Sequence, residues 1–405
     1  MKPTGPIPPE FADQRGDLHI AGRSAHAWVA AHGSPVFVYD PAIVSARIER
    51  FRAAMPRDVD LHYAIKANPF PPLLAAMAAS VDGLDVASSG ELAVALAHKP
   101  AGAISFAGPG KTDAELEAAI RAGATLNVES EGEARRALRI GEATGTTPRL
   151  AVRVNPDVEL RGSGMKMGGR PSPFGIDAER AAAAVRMIRQ GGADWRGFHI
   201  FAGSQSLDSE AIVETQAATL TLAARLSDEA GATPPLLNLG GGFGIPYFAG
   251  DAPVDVERIG AALGEALAAS PFGEDTGFAI ELGRWLVGEA GVYLSRVVDR
   301  KESRGETFLV IDGGLHHQLA ASGNFGTVVK RNYPIAIAGR MGEPGTQEVS
   351  VVGCLCTPLD RLGDRVALPT ADVGDIVAVF LAGAYGLTAS PSSFLGHPNP
   401  AEILG

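Results

Sequence analysis

The sequence of 405 residues predicts an α/β fold, a (β/α)8 TIM barrel followed by a mainly antiparallel β domain. Between residues 60 and 285, eight short apolar runs alternate with segments rich in Ala, Glu and Arg that repeat with helical spacing. Eight such units in roughly 225 residues match the size of this class of barrel. An open, doubly wound sheet is also built from β-then-α units, so strand counting alone leaves that alternative open.

The predicted barrel strands are short and often β-branched. They are LHYAIKA (61–67), GLDVAS (83–88), AISFAG (103–108), TLNVES (125–130), LAVRVN (150–155), GFHIFAG (197–203), LLNLGG (236–241) and GFAIELG (277–283). The segments between them, such as DAELEAAIRAGA and DAERAAAAVRMIRQGG, are typical of amphipathic helices closed by glycine.

The pattern changes after Arg284, where runs such as VYLSRVV, TFLVID, EVSVVGCLC and DIVAVFLAG are separated by turns. Short apolar runs separated by turns predict antiparallel strands, and EVSVVGCLC, the run that contains both cysteines, is expected to be one of them. The sequence therefore predicts an N-terminal tail and lead-in (1–32), a barrel (33–285) and a C-terminal β domain (286–405), in which residues 33–40 could also pair with the β domain. Residues 156–175 are Gly-rich and aperiodic, which is typical of a lid or a disordered loop.

Composition narrows the possible partners and the compartment. The formal net charge of −11 argues against sequence-independent binding to nucleic acid or to an anionic membrane, because both need a basic surface. The N-terminal segment is proline-rich and lacks the apolar core of a signal peptide, and the apolar run at 376–387 is shorter than the roughly 20 residues that span a bilayer. We therefore expect a cytoplasmic protein.

The sequence has two cysteines, Cys354 and Cys356, and a strand would place them on one face. No disulfide framework follows from two cysteines at this spacing. The absence of a nearby Cys or His pair at ligand spacing also makes a poor zinc site, so no metal is expected.

Polar side chains collect where the predicted barrel strands end. Lys66 is the most unusual, because it interrupts an apolar run, and a buried ammonium costs several kcal/mol or has a depressed pKa. Either its side chain escapes to solvent or the fold needs an amine there. The other residues at strand ends are Asp85, Glu129, Arg153, Ser204, Gly240, Gly241, Gly242, Gly244, Glu281 and Arg284.

Each of these signals is weak alone, since a strand-end lysine often snorkels, GGGFG is often a tight turn, and Glu281 with Arg284 could be a structural ion pair. Their convergence is more informative. Glycine amides after the seventh strand and an arginine after the eighth lie where barrels of this class hold phosphate. An amine, a phosphate cradle and a carboxylate on one rim are the parts needed to hold pyridoxal 5'-phosphate.

With these motifs in place, the chain resembles the fold-type III pyridoxal phosphate decarboxylases, which include diaminopimelate, ornithine and arginine decarboxylases. The motifs that carry the resemblance are GSPVFVYD, YAIKAN, LDVASSGE, AGSQ, LGGGFG, ELGR, GCLCTPLD, GAYG and the closing PAEIL. The resemblance implies an alanine-racemase-like barrel with a C-terminal β domain, and a homodimer with shared active sites.

The resemblance also implies roles for individual residues. Lys66 would form the Schiff base, Glu281 would partner the pyridinium nitrogen, and Cys356 would be the acid that reprotonates the α carbon, offered from the neighbouring subunit. Without the resemblance, Cys356 reads as a buried small hydrophobe. The phosphate would be held by Ser204, Gly240, Gly241, Gly242, Arg284 and Tyr385. Asp85, Arg153 and Phe201 are expected to complete the cofactor site, and Thr357, Arg284, His316 and Tyr385 to contact the substrate.

Three departures from the family pattern concern the substrate. Phe201 stands where a histidine usually stacks on the cofactor, although His199 matches an earlier histidine of the diaminopimelate enzymes. Thr357 replaces an acidic residue that helps to bind a distal amine, so a charge-assisted contact becomes neutral. LHHQLAASGNFGT replaces the arginine-bearing stretch that grips the distal carboxylate of diaminopimelate.

These departures resemble the subgroup that contains the butirosin-pathway decarboxylase, which acts on a glutamyl group on an acyl carrier protein, and decarboxylases found beside exosortase gene clusters. We therefore expect α-decarboxylation of a conjugated or carrier-bound amino acid. The alternatives are decarboxylation of free diaminopimelate, lysine or ornithine, an amino-acid racemase, and a non-catalytic homologue. His316 and His317 could help to bind the substrate or could be an inert surface pair.

Overall fold

The computed structural model describes residues 1–157, 163–166, 171–324 and 331–405. The chain divides into two compact units. The barrel unit comprises residues 48–244 and 254–283, and the β unit comprises residues 1–47, 245–253 and 284–405.

The barrel unit contains eight parallel strands, and the predicted fold class is confirmed. The strands are Val59–Ala64, Gly83–Val86, Ile104–Phe106, Thr125–Val128, Arg149–Asn155, Asp194–Ile200, Leu236–Gly241 and Gly277–Leu282. Each of them pairs with two others, and the ring closes where Gly277–Leu282 pairs with Val59–Ala64. An open sheet is thereby excluded, because an open sheet would leave two edge strands.

Helices follow the barrel strands, and five of the seven described helices that lie within the barrel unit begin with a side-chain cap. Thr112 and Glu115 form a reciprocal capping box ahead of the helix Asp113–Ala122, which ends at Gly123 in the left-handed conformation that glycine adopts without strain. The helices that lie within the barrel unit are Pro71–Ala78, Ser89–Leu96, Asp113–Ala122, Glu131–Thr144, Ala178–Gln190, Ser209–Ala230 and Val256–Ala269. The helix Pro41–Ala54 continues from one unit into the other.

The β unit is built around a mainly antiparallel sheet. The long strand Gly291–Ser303 pairs antiparallel with three others, one of which is Val36–Tyr39 from the beginning of the chain. The remaining strands of this sheet are Glu306–Ile311, Ile335–Ile337, Gln347–Val352, Arg361–Leu368, Ile376–Val379 and Ala401–Leu404. The described α-helices that lie wholly within this unit are Pro9–Ala12, Ala25–His32 and Arg284–Val287.

The Gly-rich segment 156–175 is partly described. Its strand Ser163–Lys166 pairs antiparallel with Gly203–Ser206. The two-residue strand Ile176–Asp177 follows the segment and pairs parallel with Arg149–Asn155. Residues 158–162 and 167–170 lie outside the described residues. The prediction of a lid or a disordered loop falls partly on those residues. Within the described ranges, every helix is too short or too polar to cross a bilayer.

The prediction that Cys354 and Cys356 lie on one face of a strand is wrong. The strand ends at Val352, because the buried carboxylate of Asp360 accepts the N–H of Leu355 at 2.9 Å and draws the backbone into a turn. Gly353 permits this turn, since a Cβ at its position would collide with that carboxylate. Cys354 is consequently half-buried and Cys356 is exposed.

The packing of the helix Val256–Ala269 gives a stability prediction. A Cβ on Gly260 would overlap the carbonyl oxygen of Ala54, whereas one on Gly264 would lie 3.7 Å from Pro56 Cγ, an ordinary contact. Gly260→Ala should therefore lower stability by roughly 1 to 3 kcal/mol through overpacking. The matched variant Gly264→Ala should be neutral or stabilising by up to about 1 kcal/mol through helix propensity. Equal thermal-unfolding midpoints for the two variants would contradict this packing.

Candidate active site

Lys66 leaves the barrel core. The first barrel strand ends at Ala64, and Lys66 lies in the short 3-10 turn Ile65–Ala67 that follows, with Ile65 and Ala67 buried while its own side chain is 49% exposed. Tyr63 helps to hold this turn by donating its hydroxyl hydrogen to the Asn68 carbonyl at 2.9 Å. The fold therefore presents the amine at the strand end without burying a charge.

The ammonium of Lys66 lies near a buried carboxylate. Its Nζ is 3.9 Å from Oε1 of Glu281, and Nε2 of His199 is 3.2 Å from Oε2 of the same carboxylate. Burial alone would raise the pKa of Glu281, but the contact from His199 and the positive charges of Lys66 and Arg153 outweigh it and hold this pKa well below its usual range. Glu281 is therefore an ionised acceptor inside the barrel.

A second buried pair was missed by sequence reasoning. His62 Nδ1 lies 3.3 Å from Asp85 Oδ2, and both side chains are almost fully buried. Burial opposes protonation of His62, yet the nearby charges of Asp85, Asp60 and Glu281 outweigh it and raise the pKa of the imidazole. The strand alternation that makes His62 face inward was the available signal. The role of Asp85 in cofactor binding stays a prediction.

Arg153 forms a buried ion pair with Glu129. Its Nη1 donates to Glu129 Oε1 at 2.8 Å, and its guanidinium lies 5.2 Å from the centre of the Phe174 ring. The second carboxylate oxygen of Glu129 accepts the Gly175 N–H at 3.1 Å. In the sheet register Arg153 lies beside His199, so it contributes positive charge to the layer that faces Glu281. Direct contact between Arg153 and the cofactor stays a prediction.

The glycine turn after the seventh strand is tightly packed. A Cβ on Gly240 would lie 2.7 Å from the Ile200 carbonyl oxygen, and one on Gly241 would overlap the Glu281 carbonyl. Gly240 and Gly242 both have positive φ, and Asn238 Oδ1 accepts the Gly240 N–H at 2.9 Å. Glycine is therefore required for this backbone path.

Phe201 lies beside this turn, and Ser204 lies in a nearby strand of the barrel unit whose last residue, Ser206, donates its N–H to the Gly242 carbonyl. A Cβ on Gly240 would also reach Phe201 Cδ2 at 3.1 Å, and the Phe201 ring packs edge-on against His199 with centroids 6.5 Å apart. Ser204 lies in the strand Gly203–Ser206 and is half-buried. Their contacts with ring and phosphate stay predictions.

In the β unit, Arg284 is surrounded by aromatic side chains. Its guanidinium lies 4.9 Å from the centre of the Tyr385 ring and 5.7 Å from that of Tyr247, and Nη1 donates to the Tyr247 hydroxyl at 3.4 Å. Tyr385 has a φ of 52°, an unusual value for a residue other than glycine. Burial raises the pKa of Tyr247 and Tyr333, so both phenols stay neutral. Sequence reasoning missed these two tyrosines, which carry no motif of their own.

The substrate and acid candidates also lie in the β unit. Cys356 is exposed, and Thr357 is half-buried with its Oγ1 accepting the Leu359 N–H at 3.4 Å. His316 and His317 are not the surface pair that the sequence suggested, because both are buried to within about 1%. They follow Gly313 and Gly314, where the chain turns under the Tyr293 hydroxyl and the Asp360 carboxylate.

The residues of the barrel unit fit pyridoxal phosphate. A half-exposed amine can hold the aldehyde carbon, a buried ionised carboxylate can keep a proton on the pyridine nitrogen, and a glycine turn with positive φ offers backbone N–H groups to phosphate. The combination defines a pyridoxal phosphate enzyme of the barrel class.

Comparison with known proteins identifies the family. Residues 42–288 match the family described as "Pyridoxal-dependent decarboxylase, pyridoxal binding domain", and the chain belongs to this family of pyridoxal phosphate-dependent carboxy-lyases. One relative is the "L-glutamyl-[BtrI acyl-carrier protein] decarboxylase" of Niallia circulans, 36% identical over 92% of this chain and 88% of that protein.

Two further similarities bear on fold and substrate. The "2-[(L-alanin-3-ylcarbamoyl)methyl]-2-hydroxybutanedioate decarboxylase" of Staphylococcus aureus is 32% identical over 92% of this chain and 95% of that protein. The crystal structure of diaminopimelate decarboxylase from M. jannaschii in complex with L-lysine superposes with a TM-score of 0.87 at 26% identity, covering 99% of this chain and 92% of that one.

The depressed pKa of Glu281 predicts an acid-dependent stability term. Because the folded pKa is about 2 and the ordinary value is 4.5, ionised Glu281 stabilises the fold above pH 4.5, and this contribution is lost as the pH falls toward 2. The shift corresponds to something on the order of 3 kcal/mol. In the cofactor-free protein, Glu281→Gln should reduce the fall in the free energy of unfolding between pH 4.5 and pH 2, as measured by urea unfolding. The surface variant Glu274→Gln should show the same fall as the wild type. An equal pH dependence of the unfolding free energy in the wild type and Glu281→Gln would contradict the assignment.

Proposed function

We propose that this decarboxylase acts on an amino acid conjugated at its distal end, such as a glutamyl group carried by an acyl carrier protein. The observation that carries the proposal is the neutral turn around Thr357. The nearest carboxylate in that turn, Asp360, is buried and accepts the N–H groups of Leu315 at 2.6 Å and Leu355 at 2.9 Å. It is committed to the fold, so this turn offers no free anion to a distal ammonium.

The relatives support a conjugated substrate. The Niallia circulans enzyme is named for a glutamyl group on a carrier protein, and the name of the Staphylococcus aureus enzyme describes an alanine unit joined through an amide. In both names the distal end of the amino acid is acylated or esterified and carries no ammonium. A threonine hydroxyl suits such a neutral carbonyl group, since it can donate one hydrogen bond.

The proposed reaction assigns a task to each residue. When bound, pyridoxal phosphate withdraws electrons from the α carbon and so supports loss of carbon dioxide. Lys66 would hold the cofactor, and ionised Glu281 would hold a proton on the pyridine nitrogen. Ser204, Gly240, Gly241, Gly242, Arg284 and Tyr385 would hold the phosphate, while Asp85, Arg153 and Phe201 would complete the cofactor site.

Decarboxylation consumes one proton per turnover, and we assign its delivery to Cys356. Its exposure in the single chain is consistent with a thiol offered to the active site of a neighbouring subunit in a homodimer. The thiol would then recover its proton from solvent. The proposed homodimer has two shared sites, each with Lys66 from one chain and Cys356 from the other.

Decarboxylation of a free diamino acid is the second candidate, supported by the structural likeness to diaminopimelate decarboxylase. Racemisation is less favoured, because an ionised Glu281 that keeps the pyridine nitrogen protonated makes a strong electron sink suited to loss of carbon dioxide. Alpha-proton exchange in deuterated water without release of carbon dioxide would support a racemase instead.

Substrate preference tests the proposal. The wild type should have a higher kcat/KM for a γ-glutamyl thioester or amide than for diaminopimelate, lysine or ornithine. Thr357→Glu should lower kcat/KM for the conjugate, because an unpaired charge in a closed site costs on the order of 1 to 3 kcal/mol, or about 5- to 150-fold. Thr357→Ser should retain activity as the matched control. A wild type that prefers every free diamino acid tested over the conjugates would refute this reading of Thr357.

Subunit complementation tests the shared site. Lys66→Ala and Cys356→Ala chains should each be inactive as homodimers, and mixing them should restore part of the activity, because each heterodimer regains one intact site. Subunit exchange would be verified with differently tagged chains. Exchange without any recovery would show that Lys66 and Cys356 act within the same chain, or that Cys356 is not the acid.

A further inference from the structure

The buried His316 has an unusual environment. Its side chain is 0% exposed, and neither Nδ1 nor Nε2 has a hydrogen-bond partner among the residues that the structure describes. Buried polar atoms in native proteins nearly always have partners, and an unpaired one costs about 1 to 3 kcal/mol. A ligand that binds one ring nitrogen of His316 would give that nitrogen the partner that it lacks.

Two further side chains of types that can bind metal ions, Cys354 and His397, lie near this imidazole. Cys354 Sγ lies 3.9 Å from both ring nitrogens of His397, and the rings of His316 and His397 have centroids 5.2 Å apart. One donor atom from each of the three residues lies within 4.8 Å of the others. Cys354 and His397 are half-buried, which leaves a route from solvent.

The β unit holds the three residues together through contacts that leave their donor atoms available. Asp360 accepts the N–H groups of Leu315 and Leu355, which join the segments that carry His316 and Cys354. The Cys354 N–H also donates to the Gly313 carbonyl at 3.0 Å. His317 Nε2 lies 3.1 Å from the Pro398 carbonyl oxygen, which fixes the residue next to His397.

We propose that Cys354, His316 and His397 form a binding site for a zinc-class divalent ion. A thiolate and two imidazoles suit Zn²⁺, which is bound at about 2.3 Å from sulfur and 2.0 to 2.1 Å from nitrogen. Donors at those lengths stand roughly 3.3 to 3.7 Å apart in a tetrahedron, so small side-chain rotations would close the site. Three protein ligands leave the fourth position open to water or another ligand.

The protonation states of His316 and Cys354 determine whether each must lose a proton before it can bind a metal ion. Burial and the neighbouring His397 lower the pKa of His316 to about 4, so this imidazole is neutral near pH 7 and can coordinate. Burial and the charge of Asp360 raise the pKa of the Cys354 thiol, so ion binding must displace its proton. Each bound ion therefore releases one proton from the thiol to solvent.

The site includes His316, which the sequence assigns to substrate contact, but none of the residues proposed to hold the cofactor or to deliver the proton. Cys354 precedes Cys356 by two residues in the turn that Asp360 organises, so coordination would fix the turn that presents the proposed acid. Binding of the ion does not depend on pyridoxal phosphate or on the identity of the substrate. A failed metal test would leave the decarboxylase assignment standing.

Metal binding is measured on the full-length, cofactor-loaded protein in a Cys356→Ser background, which removes the neighbouring thiol. Titration with Zn²⁺ should give about one equivalent per chain, with proton release that appears as a buffer-dependent heat. Co²⁺ should give the intense visible d–d bands of a tetrahedral site with thiolate ligation. Cys354→Ser and His397→Gln should each abolish the Co²⁺ bands and weaken Zn²⁺ binding at least tenfold, while the exposed control His32→Gln should behave as the parent.

Two results would overturn the site. One is the absence of stoichiometric binding in the parent, and the other is binding that persists unchanged in both Cys354→Ser and His397→Gln. Because His316 is buried and its replacement could impair folding, the test rests on the two half-buried ligands, whose variants are first shown to be folded by their thermal midpoints.

Discussion

The ionised carboxylate of Glu281 inside the barrel is the constraint on which the rest of the site depends. A buried carboxylate needs positive charge or hydrogen-bond donors around it. Lys66 and Arg153 supply positive charge, and His199 places its Nε2 3.2 Å from the carboxylate, each from a different strand or strand end. The pairing of the barrel strands fixes the positions of Arg153, His199 and Glu281 relative to one another. The same arrangement keeps the amine of Lys66 near the carboxylate while leaving its side chain half-exposed.

Much of this arrangement could be predicted from the sequence. The eight apolar runs all became barrel strands, because period and length are local properties of a chain. The strand-end position of Glu281 and the glycine turn at Gly240–Gly242 followed from the same pattern, since parallel strands in a barrel end on one rim. Lys66 was predicted to end the first strand, and it lies two residues beyond that strand, in the 3-10 turn Ile65–Ala67.

The remainder depends on contacts between distant segments. The burial of His316 and His317 could not be predicted, because they lie between glycines in a loop. Contacts of this loop with the distant residues Tyr293, Asp360 and Pro398 accompany their burial. The expectation of no metal site relied on spacing along the chain. His316, Cys354 and His397 are widely separated there, and the β unit's turns bring them together. Spacing along the chain does not detect a grouping of side chains from distant segments, such as the one from which the metal site is proposed.

Asp360 shows how one buried charge can serve both the fold and specificity. Its two oxygens accept N–H groups from two separate segments, which helps to fix the turn that carries Cys354, Cys356 and Thr357. Because this buried carboxylate is held by the backbone N–H groups of Leu315 and Leu355, it serves the fold of the turn. Replacing the usual acidic neighbour of the cysteine by Thr357 then leaves the turn electrically neutral toward a substrate. The proposed preference for a neutral, conjugated distal group thus rests on the way the turn is folded as much as on the single residue at position 357.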